Sequence, residues 1–297
     1  MILVTGASGA IGARVLERLV ADGETVAAAG RRPDELRGRF PATEARALDA
    51  LRPETLPAAL EGVRTLYYFI HSMEPGVSSF DERDRAAALN VARSSRAAGV
   101  ERVVYLGGLG DDQAVLSQHL SSRHETGRVL AEEGPPLVEL RAAMVVGVQS
   151  ASFRMLSDLV RRLPVMVVPR WVETRSQPIA MDDVVSYLSA SRSIPLEEHR
   201  TVVEIGGPDI VTYREMLETF ARLEGKRRVL IGVPFLTPRL SSLWCGLTTS
   251  VPASVAKPLI MGMTHEVVVR DDDAARRFPD IHPIGFGEAL RRAREGA

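Results

Sequence analysis

The sequence predicts a doubly wound parallel α/β sheet carrying a smaller C-terminal lobe. Three observations predict it. Short apolar runs alternate with helix-period segments from the first residue onward. A glycine-rich turn joins the first run to the first helix, and the alternation loosens after Gly147, where Pro164, Pro169, Pro178, Pro195 and Pro208 punctuate the chain. The expected division is a core over residues 1–148 and a lobe over 149–297, with a segment around 177–192 returning to the core. At 297 residues, 45% hydrophobic and 25% charged, the chain has the composition of an average globular protein, which excludes disordered and fibrous classes.

In order, Ile2 to Thr5 reads as a buried strand. Ile11, Val15 and Leu19 recur at i, i+4 and i+8, with Leu16 and Val20 beside them, forming one apolar helix stripe that ends near Gly23. Thr25 to Ala29 is the second strand, Glu44 to Asp49 the third, and Pro53 to Leu60 a short helix. Thr65 to Ile70, rich in Tyr and Phe, is the fourth strand. Asp81 to Ala98 lacks Gly and Pro and stops at Gly99, as a helix closed by a C′ glycine does. Arg102 to Leu106 makes strand five, Gln118 to Glu132 the next helix and Leu137 to Val146 strand six. In the lobe, helices are predicted over Asp182 to Ser191 and Tyr213 to Leu223. The charge clusters Lys226 to Arg228 and Asp271 to Asp273 read as solvated turns or helix ends.

Charge and cysteine usage exclude several function classes. Lys plus Arg number 37 against 38 Asp plus Glu, a net charge of -1, so no global positive field exists to hold a nucleic acid. One cysteine, Cys245, excludes an internal disulfide framework and CxxC metal sites, and fits a reducing compartment. No metal site is expected, since His265 and the Asp271 to Asp273 run match no ligand spacing. No basic and apolar leader precedes Ile2, so the fold is expected to begin at residue 1 without a secretory signal. No apolar run approaches the roughly 18 residues of a membrane span, Leu137 to Val148 being broken by Glu139 and Arg141. A cytoplasmic protein without membrane or nucleic-acid partners is the expectation.

The turn Thr5-Gly6-Ala7-Ser8-Gly9-Ala10-Ile11-Gly12 stands where a nucleotide-binding fold places its phosphate loop. There Gly6 permits the tight turn, Gly9 lets a pyrophosphate approach the backbone, and Gly12 allows close helix packing. The helix N-terminus supplies N–H groups and a partial positive charge. Gly6, Ser8, Gly9, Ala10, Ile11 and Gly12 are therefore the expected phosphate-side contacts.

The G-x-x-G-x-x-G spacing resembles the short-chain dehydrogenase/reductase superfamily, especially its extended members and the NmrA-like atypical branch. Asn90, then Ala97-Ala98-Gly99-Val100-Glu101-Arg102-Val103-Val104-Tyr105-Leu106, looks like the fourth helix and fifth strand of those proteins. Leu140-Arg141 in strand six, and Gln177-Pro178-Ile179-Ala180 followed by Asp182-Asp183-Val184, look like theirs too. The resemblance covers nearly the whole chain and implies a Rossmann fold with a dinucleotide across the carboxyl ends of the strands. Strand two ends Ala29-Gly30-Arg31-Arg32, where an NAD enzyme usually has an acid for the ribose hydroxyls. Guanidinium groups there bind a 2′-phosphate, so NADP(H) is expected over NAD(H), with Arg31 and Arg32 as its contacts. By position, the resemblance puts Asp49 and Ala50 at the adenine, Ile70, His71, Ser72 and Met73 near the riboses, and Gly107 and Gly108 beside the cofactor.

The catalytic pattern departs from that family. Typical members carry Ser or Thr after strand five and Tyr-x-x-x-Lys in the next helix. This chain has Gly107-Gly108-Leu109-Gly110 and His119-Leu120-Ser121-Ser122-Arg123 instead. His119 and Arg123, at i and i+4, share a helix face and are the expected catalytic pair. Arg123 is expected to anchor ribose hydroxyls and hold down the pKa of His119, which starts near 6.5 and titrates close to working pH. Met144, Trp171, Met181 and Trp244, with Tyr105, are the expected lining of an apolar substrate pocket. The expected function is NADPH-dependent reduction of a small, largely apolar carbonyl, enone, quinone or imine, with the proton from His119 or water. Two alternatives stay open: a redox sensor that binds NADP(H) without turnover, and sugar-nucleotide epimerisation or dehydration. The expected partner is a small-molecule substrate, with a homodimer as a conceivable assembly.

Overall fold

The computed structural model describes residues 1–71, 80–111, 117–233 and 248–296, apart from the side chains of 253 and 254. Its first half runs β1 (Ile2–Thr5), α1 (Ala10–Ala21), β2 (Val26–Gly30), α2 (Pro33–Arg39), β3 (Glu44–Ala47), α3 (Leu56–Leu60), β4 (Thr65–Tyr68), α4 (Phe80–Ala97), β5 (Arg102–Gly108), α5 (Gln118–Glu133) and β6 (Leu137–Ala142). The second half runs β7 (Val145–Val146), α6 (Ala151–Arg162), β8 (Val165–Pro169), β9 (Arg175–Ser176), β10 (Ile179–Ala180), α7 (Met181–Ala190), β11 (Arg200–Ile205), β12 (Val211–Thr212), α8 (Tyr213–Leu223), β13 (Val229–Val233), α9 (Ala253–Gly262), α10 (Asp273–Arg277) and α11 (Phe286–Glu295).

Seven strands form the central parallel sheet in the order β11-β6-β5-β4-β1-β2-β3. The order reverses between β1 and β4, so a crevice opens at their carboxyl ends, as doubly wound sheets require. Both sheet faces are covered, which explains why β1 is apolar without alternation. Ile2 and Val4 join α1 and α7 in one core, while Leu3 joins α3, α4 and α5 in the other. Tyr67 of β4 is fully buried, and its hydroxyl donates to Leu188 O of α7 at 3.0 Å, tying the returning helix to the sheet.

Two expectations need correction. Strand six does not run to Val146: it stops at Ala142, and Val145–Val146 leaves the sheet to pair with β10. The return to the core extends past residue 192, because Arg200–Ile205 adds the seventh strand beside β6. A run reading Arg-Thr-Val-Val-Glu-Ile hides a buried strand because its two charges are internally paired. Arg200 Nη2 donates to Glu139 at 2.8 Å, and Arg270 pairs with Glu204.

The lobe has its own core, in which α6, α8, α9 and α11 bring together Phe153, Met216, Phe220, Ile260 and Leu290. Phe153 meets Phe220 edge to face at 5.6 Å. Thr212 and Glu215 form a reciprocal capping box that starts α8 where the sequence predicts it. Among the described residues no helix is long and apolar enough to cross a membrane.

One polar cluster lies inside the sheet. Glu139 of β6 is fully buried and accepts from Arg141 Nε at 2.8 Å through one oxygen and from Arg200 through the other. The carboxylate lies where α5 and β5 carry glycines. A Cβ built on Gly127 would lie 2.5 Å from Glu139 Oε2, and one on Gly107 3.0 Å from Oε1. Removing one partner of a buried pair leaves an uncompensated charge. Glu139→Gln should therefore lower unfolding free energy by about 3–5 kcal/mol in urea titration. A loss under about 1 kcal/mol would mean that the cluster is hydrated rather than dry.

Candidate active site

The glycine turn is shaped by contacts that only glycine tolerates. Gly6 has φ +66°, and a Cβ there would lie 2.4 Å from Phe69 O. A Cβ on Gly12 would lie 2.4 Å from Gly6 O, so α1 can press onto the turn only without one. Gly9 is the N-cap of α1 and makes no side-chain cap, which leaves the first-turn N–H groups to the crevice. The Thr5 hydroxyl donates to Tyr67 O at 2.9 Å and accepts from Phe69 N at 3.2 Å, joining β1 to β4 at the point of reversal.

The crevice is a cleft of about 420 Å³. Of the residues expected at a cofactor, Gly6, Ser8, Gly9, Ala10, Ile11, Gly12, Arg31, Asp49, Ala50, Ile70, His71 and Arg123 line it. Asn90 Nδ2 donates to Ala50 O at 2.9 Å, so α4 fixes the wall that follows β3. Arg32 does not line the cleft, since its guanidinium turns to Glu35 at 2.8 Å on the surface. Gly107 and Gly108 do not line it either. A Cβ on Gly108 would lie 2.6 Å from Leu120 Cδ2, so these glycines let α5 and β6 close on β5. Ser72 and Met73 lie outside the described residues.

Sequence reasoning missed several wall residues, among them Phe69, Arg83 and Leu106. Arg83 carried a usable signal, because it sits one turn into an Arg-rich helix that follows a strand end. Three guanidinium groups (Arg31, Arg83 and Arg123) and one carboxylate (Asp49) line the described walls, a balance suited to an anion. Arg39 adds a hydrogen bond to Ser8 O at 2.9 Å beneath the turn.

At the α5 end, His119 and Arg123 come together with His71 and Tyr105. The His71 and His119 rings stack at 5.8 Å with 22° between their planes. His71 Nδ1 lies 3.3 Å from the buried Asp84 carboxylate. Arg123 lies over the Tyr105 ring, 5.0 Å from its centroid, and donates to Leu106 O, while the Tyr105 hydroxyl donates to Arg123 O at 3.1 Å. Tyr105 is thus fully buried scaffolding beneath Arg123 rather than lining of the apolar cavity. His124 Nε2 lies 2.9 Å from Gly108 O, a second link from α5 to the end of β5.

The His119 pKa does not stay near its ordinary value. Burial, then the charges of Arg123 and His71, push it down to about 3, so the imidazole is neutral at working pH. Burial also lowers His71, against the opposing pull of Asp84. The expectation that His119 titrates near neutrality is therefore corrected, for a desolvation that residue spacing cannot reveal.

A second cavity, of about 590 Å³, lies in the lobe between α6, β8, α8 and α9. Met144 and Trp171 line it as expected, but Met181 does not, because its side chain packs against Gly147 in the sheet core. Trp244 lies outside the described residues. The far wall of the cavity reaches Met263, and a Cβ on neighbouring Gly262 would lie 3.7 Å from Ser117 Oγ, the N-cap of α5. Helix α9, which helps line the cavity, thus packs beside the helix that carries His119, although His119 itself lines neither the cavity nor the cleft.

The strand order, glycine turn and cleft together define a Rossmann-like fold whose cleft suits a dinucleotide. Residues 6–139 match the profile of a family described as NAD(P)H-binding. A search of curated proteins finds no match. Among solved structures, the NADPH-dependent quinone oxidoreductase of Escherichia coli complexed with NADPH has a TM-score of 0.78 at 19% identity, covering 98% of this chain and 99% of that one. Triphenylmethane reductase of Citrobacter sp. complexed with NADP(H) gives 0.75 at 18% identity, with coverage of 98% and 99%. A nucleoside-diphosphate-sugar epimerase of Staphylococcus aureus gives 0.76 at 17%, again over 98% and 99%. At such identities the likeness is one of fold, which hosts more than one chemistry.

Two outcomes follow from this geometry. A Cβ on Gly9 meets only Gly6 O, at 3.2 Å, so Gly9→Val should fold while its branched side chain blocks the phosphate approach. Calorimetric titration should show NADPH binding lost, and unchanged affinity would refute the cleft as the cofactor site. The second outcome concerns acid. Below the ordinary imidazole pKa of about 6.5 the unfolded chain takes up a proton that folded His119 refuses until about pH 3. Stability should fall as pH drops through that window, by up to about 1.4 kcal/mol per pH unit from this residue. Urea midpoints at pH 7.5 and 4.5 should converge in His119→Phe relative to the parent protein, and an unchanged gap would refute the buried neutral imidazole.

Proposed function

We propose that the chain is an NADPH-dependent oxidoreductase of the atypical short-chain dehydrogenase/reductase type, reducing an uncharged, largely apolar carbonyl, enone, quinone or imine. The observation that carries this reading is an apolar cavity with no charged wall residue among the described residues, lined in part by α9, which packs beside the helix that carries His119 and the cleft-lining Arg123. A bound reduced nicotinamide supplies the hydride. His119, neutral, serves as a hydrogen-bond donor that polarises the acceptor, and the proton that completes reduction comes from water. Arg123 anchors ribose hydroxyls in this reading, which is supported by its place in the cleft wall.

Preference for NADP(H) is supported by Arg31 at the exit of β2, by the lack of an acid there, and by Arg83 across the cleft. Arg32 is held by a surface pair that contributes little, so it plays a lesser part. A small-molecule substrate in an NADPH-rich cytoplasm fits the same reading. Sugar-nucleotide chemistry is disfavoured, because a diphosphate needs cations and the described residues of the lobe cavity wall include none. A sensor role is favoured by one observation, the loss of the Ser and Tyr-x-x-x-Lys hydroxyl machinery.

The deciding experiment is steady-state NADPH consumption with a panel of apolar carbonyls and quinones. Turnover is expected, and His119→Ala should reduce it by roughly 10²-fold or more with NADPH affinity nearly constant. Arg31→Ala should cut the NADPH-over-NADH preference by about tenfold, since a charged hydrogen bond contributes about 1.5–3 kcal/mol, whereas Arg32→Ala should change it little. Tight NADPH binding without consumption on any acceptor would replace the reductase with the sensor.

A further inference from the structure

The ribbon formed by β8 and β13 turns an apolar face to solvent. Its strands run parallel, with Val229 beside Val165 and Ile231 beside Val167, and the two-residue pleat puts these four side chains on one face. The alternate residues Met166 and Val168 fill the lobe core behind them. Val165, Val167, Val229 and Ile231 are between 44% and 55% exposed. They are four of the eight large apolar side chains that stand exposed among the described residues, so half are gathered on one short ribbon. Outward positions of a half-buried sheet are ordinarily polar, and clustered exposed aliphatics mark a surface that meets a partner.

Cations gather at the entry end of the same ribbon. Arg161 and Arg162 close α6 just before β8, and Lys226, Arg227 and Arg228 lead into β13, so the parallel register brings both groups to one end. Arg228 Nε donates to Val160 O at 2.7 Å and Lys226 Nζ to Arg161 O at 3.4 Å, which caps the carboxyl end of α6 and holds the groups together. Among the described residues two carboxylates pair with these five cations, Glu224 with Arg161 and Asp158 with Arg162. A surplus of positive charge therefore stands here on a chain whose net charge is -1. The half-exposed Val165 and Val167 also line the lobe cavity, so the rim of that cavity runs along this face.

We propose that this face docks the lobe onto an anionic lipid bilayer, the aliphatic ribbon entering the headgroup boundary and the cations meeting the anionic headgroups. Apolar burial and electrostatic attraction are each weak at such a surface and suffice together. Four aliphatic side chains are too few for a stable interface with a second copy of the chain, which brings about 20–30 residues a side. A nucleic acid would meet the cations and leave the ribbon uncovered. The expectation of no membrane partner rested on the lack of a spanning run, and surface docking needs none. Docking requires neither cofactor nor turnover; only delivery of an apolar substrate from the lipid to the cavity rim rests on the reductase reading.

The test is sedimentation of the full chain with vesicles of phosphatidylcholine alone and of phosphatidylcholine mixed with phosphatidylglycerol. The mixed vesicles should bind the chain at least about tenfold better than the neutral ones, and binding should be lost in about 1 M salt, where the Debye length is about 3 Å. Arg227→Glu with Lys226→Gln should weaken binding to the mixed vesicles by roughly tenfold or more. Val229→Thr with Ile231→Thr keeps the β-branched shape but deletes apolar surface, and should weaken it by roughly three- to tenfold. None of these residues lines the cofactor cleft, so NADPH affinity should stay within about twofold in both variants and reports that they fold. Arg227→Glu alone, at an exposed side chain, makes the comparison if a double variant does not fold. The proposal is overturned if the mixed vesicles do not bind, if neutral vesicles bind equally, or if the folded variants bind as the parent does. It is also overturned if a DNA duplex binds as tightly as the mixed vesicles, or if light scattering shows a dimer that the threonine variant dissociates. A protein that binds NADPH without consuming it gives the same vesicle results, so a failure of the reductase reading is distinguishable from a failure of this one.

Discussion

The buried Glu139 carboxylate is the constraint around which the sheet half of the molecule is arranged. It sits in the central sheet, where a lone charge would be prohibitive, so Arg141 on its own strand and Arg200 on β11 must both reach it. That demand fixes β11 beside β6 and accounts for a seventh strand drawn from the second half of the chain. It also empties the space above the carboxylate of side chains, which is why α5 carries Gly127 and β5 carries Gly107 there. Because α5 is seated by this fit, the placement of Arg123 in the cleft wall, with His119 one turn before it, depends on charges that lie outside that wall.

The same seating decides the chemistry available at the α5 end. Where related folds use a tyrosine activated by lysine, this chain puts an imidazole beside a permanent cation and a second imidazole. Each neighbour disfavours a charged ring, and desolvation disfavours it further. The pair His119 and Arg123 therefore keeps the i, i+4 spacing with a neutral ring and a permanent cation. One group, a neutral ring, has an N–H on one nitrogen and a lone pair on the other, and the other group holds a fixed positive charge.

The parts of the fold legible in the sequence were those where spacing is itself the physical requirement. The turn from Gly6 to Gly12 needs glycine at fixed offsets for steric reasons, and α8 spans the Tyr213 to Leu223 that the sequence predicts. The less legible parts depended on partners far away in the chain. β11 was obscured by Arg200 and Glu204, whose partners lie 61 and 66 residues away. Met144 and Met181 look equivalent as isolated apolar residues, yet one faces a cavity and the other fills the sheet core. Arg31 and Arg32 are adjacent, but only the backbone at the end of β2 determines which one faces the cleft. The depressed His119 pKa had no local signature at all, since desolvation is a property of the assembled neighbourhood.

The Thr5 hydroxyl occupies the point where neighbouring strands part company. There the backbone ladder between β1 and β4 ends, and one side chain takes up both a carbonyl and an N–H across the gap. This is a lock on the width of the mouth: the two lips of the crevice cannot drift apart without breaking both bonds together. A receptor whose lips are locked in this way loses little conformational freedom when it is filled. Recognition at that edge then proceeds by insertion into a ready-made slot, and adaptive movement is left to the segments farther from the sheet.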